Sequence, residues 1–342
     1  MSTAQFIFFS FVKIVCVIVP LLLMVAYSVL AERRISAFIQ DRLGPNRVGL
    51  AGVAQPIADI LKFLLKEDYT PNHVRKVYFW LAPAITIVPA LLTLAVIPFG
   101  SYLGRQKMVI ADLNVGILYT FGIVSLGVYG IVLAGYAANS KYPFLGGIRS
   151  SVQMISYEIA MGMSVIPLFL LVGSLNLSDV IGYQTTRGWI ILKQPLSFLI
   201  FVVAAFAETN RLPFDLPESE SELVGGYHTE YSSMKFALFF LSEYANMIAS
   251  AAMMVTLFFG GWTLPLAGLD QPADAQHVLR GFSHVGIFLG KIMLLMLLFI
   301  WVRWMWPRFR YDQLMDLGWR RFIPVALANI VVTALVLWLN AK

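Results

Sequence analysis

The sequence predicts an all-α polytopic membrane protein with about eight transmembrane helices and one short amphipathic helix at the membrane surface. Of its 342 residues, 59% are hydrophobic and only 13% are charged, whereas a soluble domain is about a quarter charged. The apolar residues fall in runs of roughly 20, the length that a helix needs to cross a bilayer core of ~30 Å. Lipid cannot hydrogen-bond the backbone, so each run is predicted to be a helix.

Eight runs qualify as spans, and we predict that they form a single transmembrane domain over residues 1–342. The first run is too long for the core of a signal peptide and lacks a basic start, so it is retained as a span. The fifth is the weakest, because Lys193 and Pro195 interrupt its start. The predicted spans are about 6–30, 78–99, 115–138, 152–173, 189–207, 236–262, 285–306 and 323–339.

The distribution of basic residues predicts the orientation. Counted with the adjoining span ends, the loops after spans one, three, five and seven hold seventeen of the 25 Lys and Arg residues. The other side holds six, and Lys13 and Lys291 lie within spans. The positive-inside rule places the richer side in the cytoplasm, or in the matrix of a mitochondrion, with both termini on the outer, periplasmic side. The predicted location is therefore an inner membrane, either the bacterial cytoplasmic membrane or that of mitochondria.

Composition and motifs argue against several kinds of cofactor site. The only cysteine, Cys16, lies in the first span, and the four histidines form no pair at metal-ligand spacing. The sequence also has no G-x-G-x-x-G, P-loop or G-x-S-x-G motif. We therefore predict that this chain alone binds no metal or nucleotide. The net charge of +6 is explained by the cytoplasmic loops, and no nucleic-acid partner is predicted.

The first cytoplasmic loop contains a predicted amphipathic helix. Asp59, Lys62 and Lys66 fall on one face, and the segment is too short to span, so it should lie in the membrane interface. It is either a cap on the bundle or the edge of a doorway for a lipophilic ligand. Its apolar face comprises Val53, Ile57, Ile60, Leu61 and Leu64.

The loop after span five, residues 208–234, is acidic. Six of the 19 acids of the chain lie between Glu208 and Glu230, and Arg211 is the only permanent base among them. A solvated loop is the ordinary interpretation of such a run, but apolar residues such as Leu212, Phe214 and Leu216 are interleaved with the acids. We expect a partly buried cluster whose members titrate together and respond to nearby charge.

Two further acids lie within spans. Glu158 is placed near the cytoplasmic start of span four, and Glu243 is further inside span six. Intramembrane carboxylates are costly and mark ion or substrate paths by default, although a paired structural charge is the alternative. Lys13 and Lys291 are close enough to the outward ends to snorkel. Arg303, beside several tryptophans, is interpreted as part of an interfacial belt.

Seven motifs of this sequence resemble those of one membrane component of respiratory complex I, the proton-pumping NADH:quinone oxidoreductase, namely its H subunit. The resemblance covers nearly the whole chain in order, with slight departures at Arg34, where lysine is usual, and Ser219, where glycine or alanine is common. The motifs are ERR (32–34), GPN (44–46), ISYE (155–158), AETNRLPFDL (207–216), ESELV (220–224), FFLSEY (239–244) and RFRYD (308–312).

The resemblance implies a membrane subunit that forms much of the quinone chamber and couples quinone reduction to proton translocation. It implies no catalytic residue and no cofactor in this chain alone. The quinone is the substrate, and NADH, FMN and iron–sulfur clusters belong to partner subunits. The implied residues of the quinone site and its access path are Arg33, Arg42, Asp59, Phe63 and Phe214. Those implied in proton coupling are Glu158, Glu208, Arg211, Asp215, Glu218, Glu220, Glu222, Glu230 and Glu243.

The implied partners are the peripheral iron–sulfur and quinone-site subunits, the antiporter-like membrane subunits, quinone and the lipid bilayer. Two other functions are considered. One is the anchor subunit of a related membrane-bound hydrogenase, which shares the module. The other is a stand-alone proton-coupled transporter, for which discontinuous helices in paired halves would be expected.

Overall fold

The computed structural model describes residues 3–104, 106–217, 220–265, 271–272 and 278–340. Over this range the chain is almost entirely helical, which confirms the predicted fold class. A two-stranded antiparallel hairpin, β1 (Tyr102–Leu103) and β2 (Gln106–Lys107), is the only sheet among the described residues. The helices are α1 (Thr3–Ile39), α2 (Gln55–Leu65), α3 (Lys76–Thr93), α4 (Gly116–Ala137), α5 (Lys141–Val172), α6 (Leu177–Arg187), α7 (Ile190–Lys193), α8 (Pro195–Glu208), α9 (Glu220–Leu223), α10 (Ser233–Phe258), α11 (Val278–Met305), α12 (Tyr311–Asp316) and α13 (Ile323–Asn340).

Within the described residues, seven helical segments are long and apolar enough to cross a membrane. The predicted fifth span is different, because it is divided at Gln194 into α7 and α8. Pro195 lies in the first turn of α8, where its missing N–H is no loss. With 14 residues, α8 is about 21 Å long at 1.5 Å per residue. It is therefore shorter than the hydrocarbon core of a bilayer, which is ~30 Å thick.

Helix α10 lies at the centre of the bundle. In its most apolar window 67% of the residues are buried, against 11% for the segment that ends with α13. Close helix approach depends on small residues elsewhere in the bundle. A Cβ on Gly130 of α4 would lie 2.8 Å from the backbone nitrogen of Thr86 in α3, so these helices could not pack as they do around a larger residue. The outer faces of α1 and α13 remain open to lipid or partner chains.

The connecting segments meet at two ends of the bundle. At one end, which we call the basic end, the segments 40–75, 138–140, 209–232 and 306–310 contact one another. For example, Asn139 donates to the carbonyl of His73 at 3.1 Å, and the Phe309 amide donates to that of Pro213 at 3.1 Å. At the opposite end lie the hairpin, α6 and the turn after α10. The basic end is the one that the sequence predicts to be cytoplasmic.

Candidate functional site: a buried chain of paired charges

Four charged side chains from four segments meet inside the basic end of the bundle. Glu32 comes from α1, Arg211 from the loop after α8, Glu243 from α10 and Arg303 from α11. The Arg211 guanidinium lies 2.8 Å from Glu243 through Nε and 3.2 Å from Glu32 through Nη1. Arg303 also forms an ion pair with Glu32. The charges thus alternate in sign along a chain, Glu243–Arg211–Glu32–Arg303, which we call the charge chain.

Burial makes the pairing obligatory. The side chains of Arg211 and Glu32 are only 9% and 7% exposed, and a buried charge left without a partner costs several kcal/mol, about 3–5. Tyr244 adds two contacts. Its hydroxyl donates to Glu32 Oε2 at 2.6 Å, and its ring lies 4.3 Å below the Arg211 guanidinium, a favourable cation–π geometry. No member can lose its charge without disturbing its neighbours.

The loop that carries Arg211 is held by side-chain amides. Helix α8 ends at Glu208, and Asn210 adopts a left-handed conformation (φ 51°), which asparagine tolerates well. The Gln153 amide of α5 donates to the carbonyl oxygens of Ala207 and Phe214, both at 2.7 Å. These two bonds bracket Arg211 and fix the direction in which its side chain enters the bundle.

Glu208 begins a second polar region, one helix away from the charge chain. It is buried, and it lines a cavity of about 20 Å³ together with Asn246 and Ser250 of α10 and Thr120 of α4. A volume of roughly 10–15 Å³ suffices for one water molecule if polar partners are present. No basic side chain among the described residues pairs with Glu208. Asn246 lies one helical turn beyond Glu243, so α10 connects this cavity to the charge chain.

Glu158 continues the polar region into α5. It forms a hydrogen bond with the Ser125 hydroxyl of α4, and it lies close enough to Glu208 for the two carboxyls to repel each other. The sequence placed Glu158 near the start of a span, but α5 begins at Lys141. Glu158 is therefore about 26 Å along the helix at 1.5 Å per residue, near its middle.

The other described acids of the loop each have a basic partner from elsewhere in the chain. Asp215 pairs with Arg308 at 2.9 Å, Glu222 with Arg149 at 2.6 Å, and Glu230 lies 3.8 Å from His73. Sequence proximity could not reveal these partners, which come from α5, the segment after α11 and the first loop. Glu218 lies outside the described residues, and the side chain of Glu220, in α9, also lies outside them.

The residues expected at the quinone access path fall into two places. Arg33 and Asp59 pair at 2.8 Å and join α1 to the amphipathic helix α2. The ring of Phe63, also on α2, lies 6.3 Å from that of Phe236, and Arg42 donates to Gln40 in an exposed turn. The apolar face of α2 is exposed, with Ile57, Ile60, Leu61 and Leu64 each more than half accessible.

Phe214 lies apart from this access group. It is buried, it stacks on Phe309 with 5.4 Å between ring centroids, and it lies beside Tyr157. It therefore packs between α5 and the segment that follows α11.

Sequence reasoning missed two of the four members of the charge chain. Glu32 was noted only as part of a motif, and Arg303 was interpreted as interfacial. The available signal was a charge at each of two apolar span ends, with opposite signs. It was not decisive, because charges at span ends are common. Among the described residues, no group of three or more His, Cys, Asp or Glu side chains is close enough to hold a metal.

The fold and site define a class: a polytopic α-helical membrane protein with buried, paired charges between its helices. Comparison with known proteins makes this specific. The model of the NADH dehydrogenase family matches residues 12–334, so the chain belongs to that family, and the resemblance predicted from the motifs is confirmed.

The similar proteins are components of NADH-quinone oxidoreductases. The first of the H subunits of this enzyme in Cytophaga hutchinsonii is 50% identical over 91% of this chain and 92% of its own length. The H subunit from Salinibacter ruber is 48% identical over 93% of both chains. Subunit 8 of the enzyme from Rhodothermus marinus is 50% identical over 93% of this chain and 94% of its own.

Proposed function

We propose that this chain is the membrane subunit of a proton-pumping NADH:quinone oxidoreductase, that it forms much of the quinone chamber, and that its buried charges couple quinone reduction to proton translocation. Family membership supports the first part. The observation that carries the coupling role is the charge chain, because its four members come from four separate segments and share their partners.

The chemistry of the substrate explains why such a chain is useful. Reduction of a quinone to a quinol consumes two electrons and two protons. The electrons come from an iron–sulfur cluster in a partner subunit, so this chain supplies position, charge and protons. Opposite charges ~4 Å apart interact by about 4 kcal/mol at an effective dielectric of ~20. A change of charge at one end of the chain therefore alters the pairing preference of the next member by an amount large enough to matter.

Arg211 is the central member, because it pairs with both Glu32 and Glu243. If Glu32 gains a proton, Arg211 is left to Glu243 and Arg303 loses its partner. If Glu243 gains one, the balance moves the other way. The guanidinium itself stays charged, so it transmits a change of protonation by a change of partner.

A route for protons leads from the charge chain into the bundle. Glu243 is followed on α10 by Asn246 and Ser250, which line the cavity of Glu208. Glu208 in turn faces Glu158, whose carboxyl bonds to Ser125. Carboxyls, an amide and hydroxyls at this spacing, with room for about one water molecule, form the kind of path that intramembrane acids mark. We propose that it continues to the antiporter-like partner subunits.

The access path is proposed to lie beside α1 and α2. The exposed apolar face of α2 suits a hydrophobic quinone tail, and the Arg33–Asp59 pair fixes α2 against α1. Arg42 and Phe63 flank this edge, and Phe214 lines the chamber further along. Asp215, Glu222 and Glu230, together with Glu218 and Glu220, form the surface that meets the peripheral subunits. The basic end then faces the cytoplasm, and both termini are periplasmic.

The coupling role is tested by Glu208→Gln in the assembled complex. Glutamine keeps the shape of the side chain and removes its proton, so we expect the number of protons pumped per electron to fall at least twofold while quinone reduction with an uncoupler remains. Asp312→Asn is the matched control, because this acid is exposed and pairs only with its near neighbour Arg310. Wild-type pumping by Glu208→Gln would refute the proposed route.

A further inference from the structure

A large groove lies on the outside of the bundle, away from the charge chain. Its volume is about 540 Å³, within the range of roughly 300–1,000 Å³ that ligand sites occupy. Its walls are apolar for most of their length, and three polar residues, Gln313, Asp316 and Arg321, lie at one end. The apolar lining consists of Val202, Val203, Phe206, Pro213, Phe214, Val302, Trp306, Phe309, Leu317 and Phe322.

The short length of α8 explains why the groove exists. The helix ends at Glu208, about 9 Å short of a full bilayer core at 1.5 Å per residue, and the chain then turns away through Pro213 and Phe214. The longer helices α11 and α13 continue past it. Between them, a π-helical segment, Leu317–Phe322, places Leu317, Arg321 and Phe322 on the groove. Such widened turns often occur at functional sites.

The charge at the end of the groove is not balanced by the chain itself. Four arginines follow α11, and three of them have acidic partners: Arg308 with Asp215, Arg310 with Asp312 and Arg320 with Asp316. Among the described residues, Arg321 has no acidic partner. Asp316 also lines the groove, but its charge is matched by Arg320 at 3.0 Å. One exposed guanidinium is therefore available to an anion at the mouth of an apolar groove.

We propose that the groove binds one anionic phospholipid, with an acyl chain along the apolar walls and the phosphate at Arg321. Guanidinium groups bind phosphate oxygens in a bidentate manner. The position of Arg321 suits this role, because it lies at the basic end of the bundle beside Trp306 and Trp319, and tryptophans are typical of the headgroup level. A quinone tail would fit the walls, but its neutral headgroup would leave Arg321 without a counter-charge. The site is distinct from the charge chain and does not depend on the proposed coupling role.

The test compares two neighbouring arginines. The assembled complex is delipidated in detergent and titrated with phosphatidylglycerol or phosphatidylcholine, and bound lipid is counted by native mass spectrometry. The wild type is expected to bind one phosphatidylglycerol in preference to phosphatidylcholine. Arg321→Gln should weaken phosphatidylglycerol binding about tenfold, which corresponds to one lost charge-assisted contact. Arg320→Gln, whose guanidinium is engaged by Asp316, should stay within about twofold of the wild type.

A second variant tests the groove itself. Val203→Trp adds a large side chain to the open wall, without a change of charge, and should abolish binding of both lipids at this site. Unchanged lipid binding by Arg321→Gln, or an equal loss in Arg320→Gln, would overturn the proposal. So would a cross-link from a cysteine at Val203 to a partner subunit in the assembled complex, because a protein would then occupy the groove.

Discussion

The two halves of α10 hold buried charge in different ways. Near its start, Glu243 joins a chain of four side chains in which every charge faces an opposite one. Beyond its end, a single cation has no acidic partner in the described residues. Lys291 of α11 donates to the carbonyl oxygens of Phe259, Gly261 and Thr263 at 2.5–2.9 Å, and its ammonium lies 5.0 Å from the ring of Trp189.

The difference teaches what each arrangement can do. Backbone carbonyls at a helix C-terminus carry a fixed partial negative charge, so the Lys291 contacts can stabilise a turn but cannot change with protonation. Carboxylates can gain and lose protons, and in the charge chain each such change has a neighbour to act on. The first arrangement is therefore suited to structure, and the second to coupling. Variants that remove one charge from each region distinguish them.

The largest effect is expected for Arg211→Met. It leaves Glu243 buried without its cation and Glu32 with only Arg303, so the free energy of unfolding should fall by about 3–5 kcal/mol, and little complex should assemble. The yield and melting temperature of the purified complex measure this.

Two variants accompany Arg211→Met. Arg149→Met removes a base whose partner, Glu222, is half exposed, and should cost less than about 1 kcal/mol. The double variant Arg211→Met/Glu243→Gln carries no unpaired buried charge, because Glu32 keeps Arg303, and it should recover part of the lost stability. Equal losses in the single and double variants would contradict the pairing.

An intermediate effect is expected for Lys291→Met. The substitution leaves three carbonyl oxygens without their donor, and a hydrogen bond to a charged group contributes roughly 1.5–3 kcal/mol. We expect the melting temperature of the complex to fall while quinone reduction and pumping per assembled complex are unchanged. Lys13→Met, which removes the other intramembrane lysine, should have little effect. A selective loss of pumping in Lys291→Met would show that this region is not merely structural.

The smallest effect on stability is expected for Arg33→Gln, at the access edge. The Arg33–Asp59 pair is partly exposed, with 45% of the arginine side chain accessible, so its loss should cost less than about 1 kcal/mol. If α2 borders the quinone path, KM for quinone should rise roughly two- to threefold with little change in kcat. Arg310→Gln, an exposed ion-pair control, should leave KM unchanged. A KM identical to that of the wild type in Arg33→Gln would argue against this access path.

Local pattern predicted the fold class, since a run of ~20 apolar residues has one stable conformation in lipid. It also predicted the amphipathic helix α2, whose periodicity lies within eleven residues. It failed where distant segments matter. The interruption at Lys193 and Pro195 was visible, but not the groove that the short α8 leaves beside α11 and α13. The acidic loop was evident, but not that Arg149 and Arg308 would pair with its members.

The sequence by itself thus determined that the chain is a membrane helix bundle, which family it resembles, and which loops carry the basic charge. Only the tertiary structure decided which charges meet. Glu32 and Arg303 are 271 positions apart, and no periodicity links residues at that separation. Helix periodicity is a property of neighbours along the chain, whereas the partner of a buried charge is set by which helices pack together. That choice requires the whole bundle.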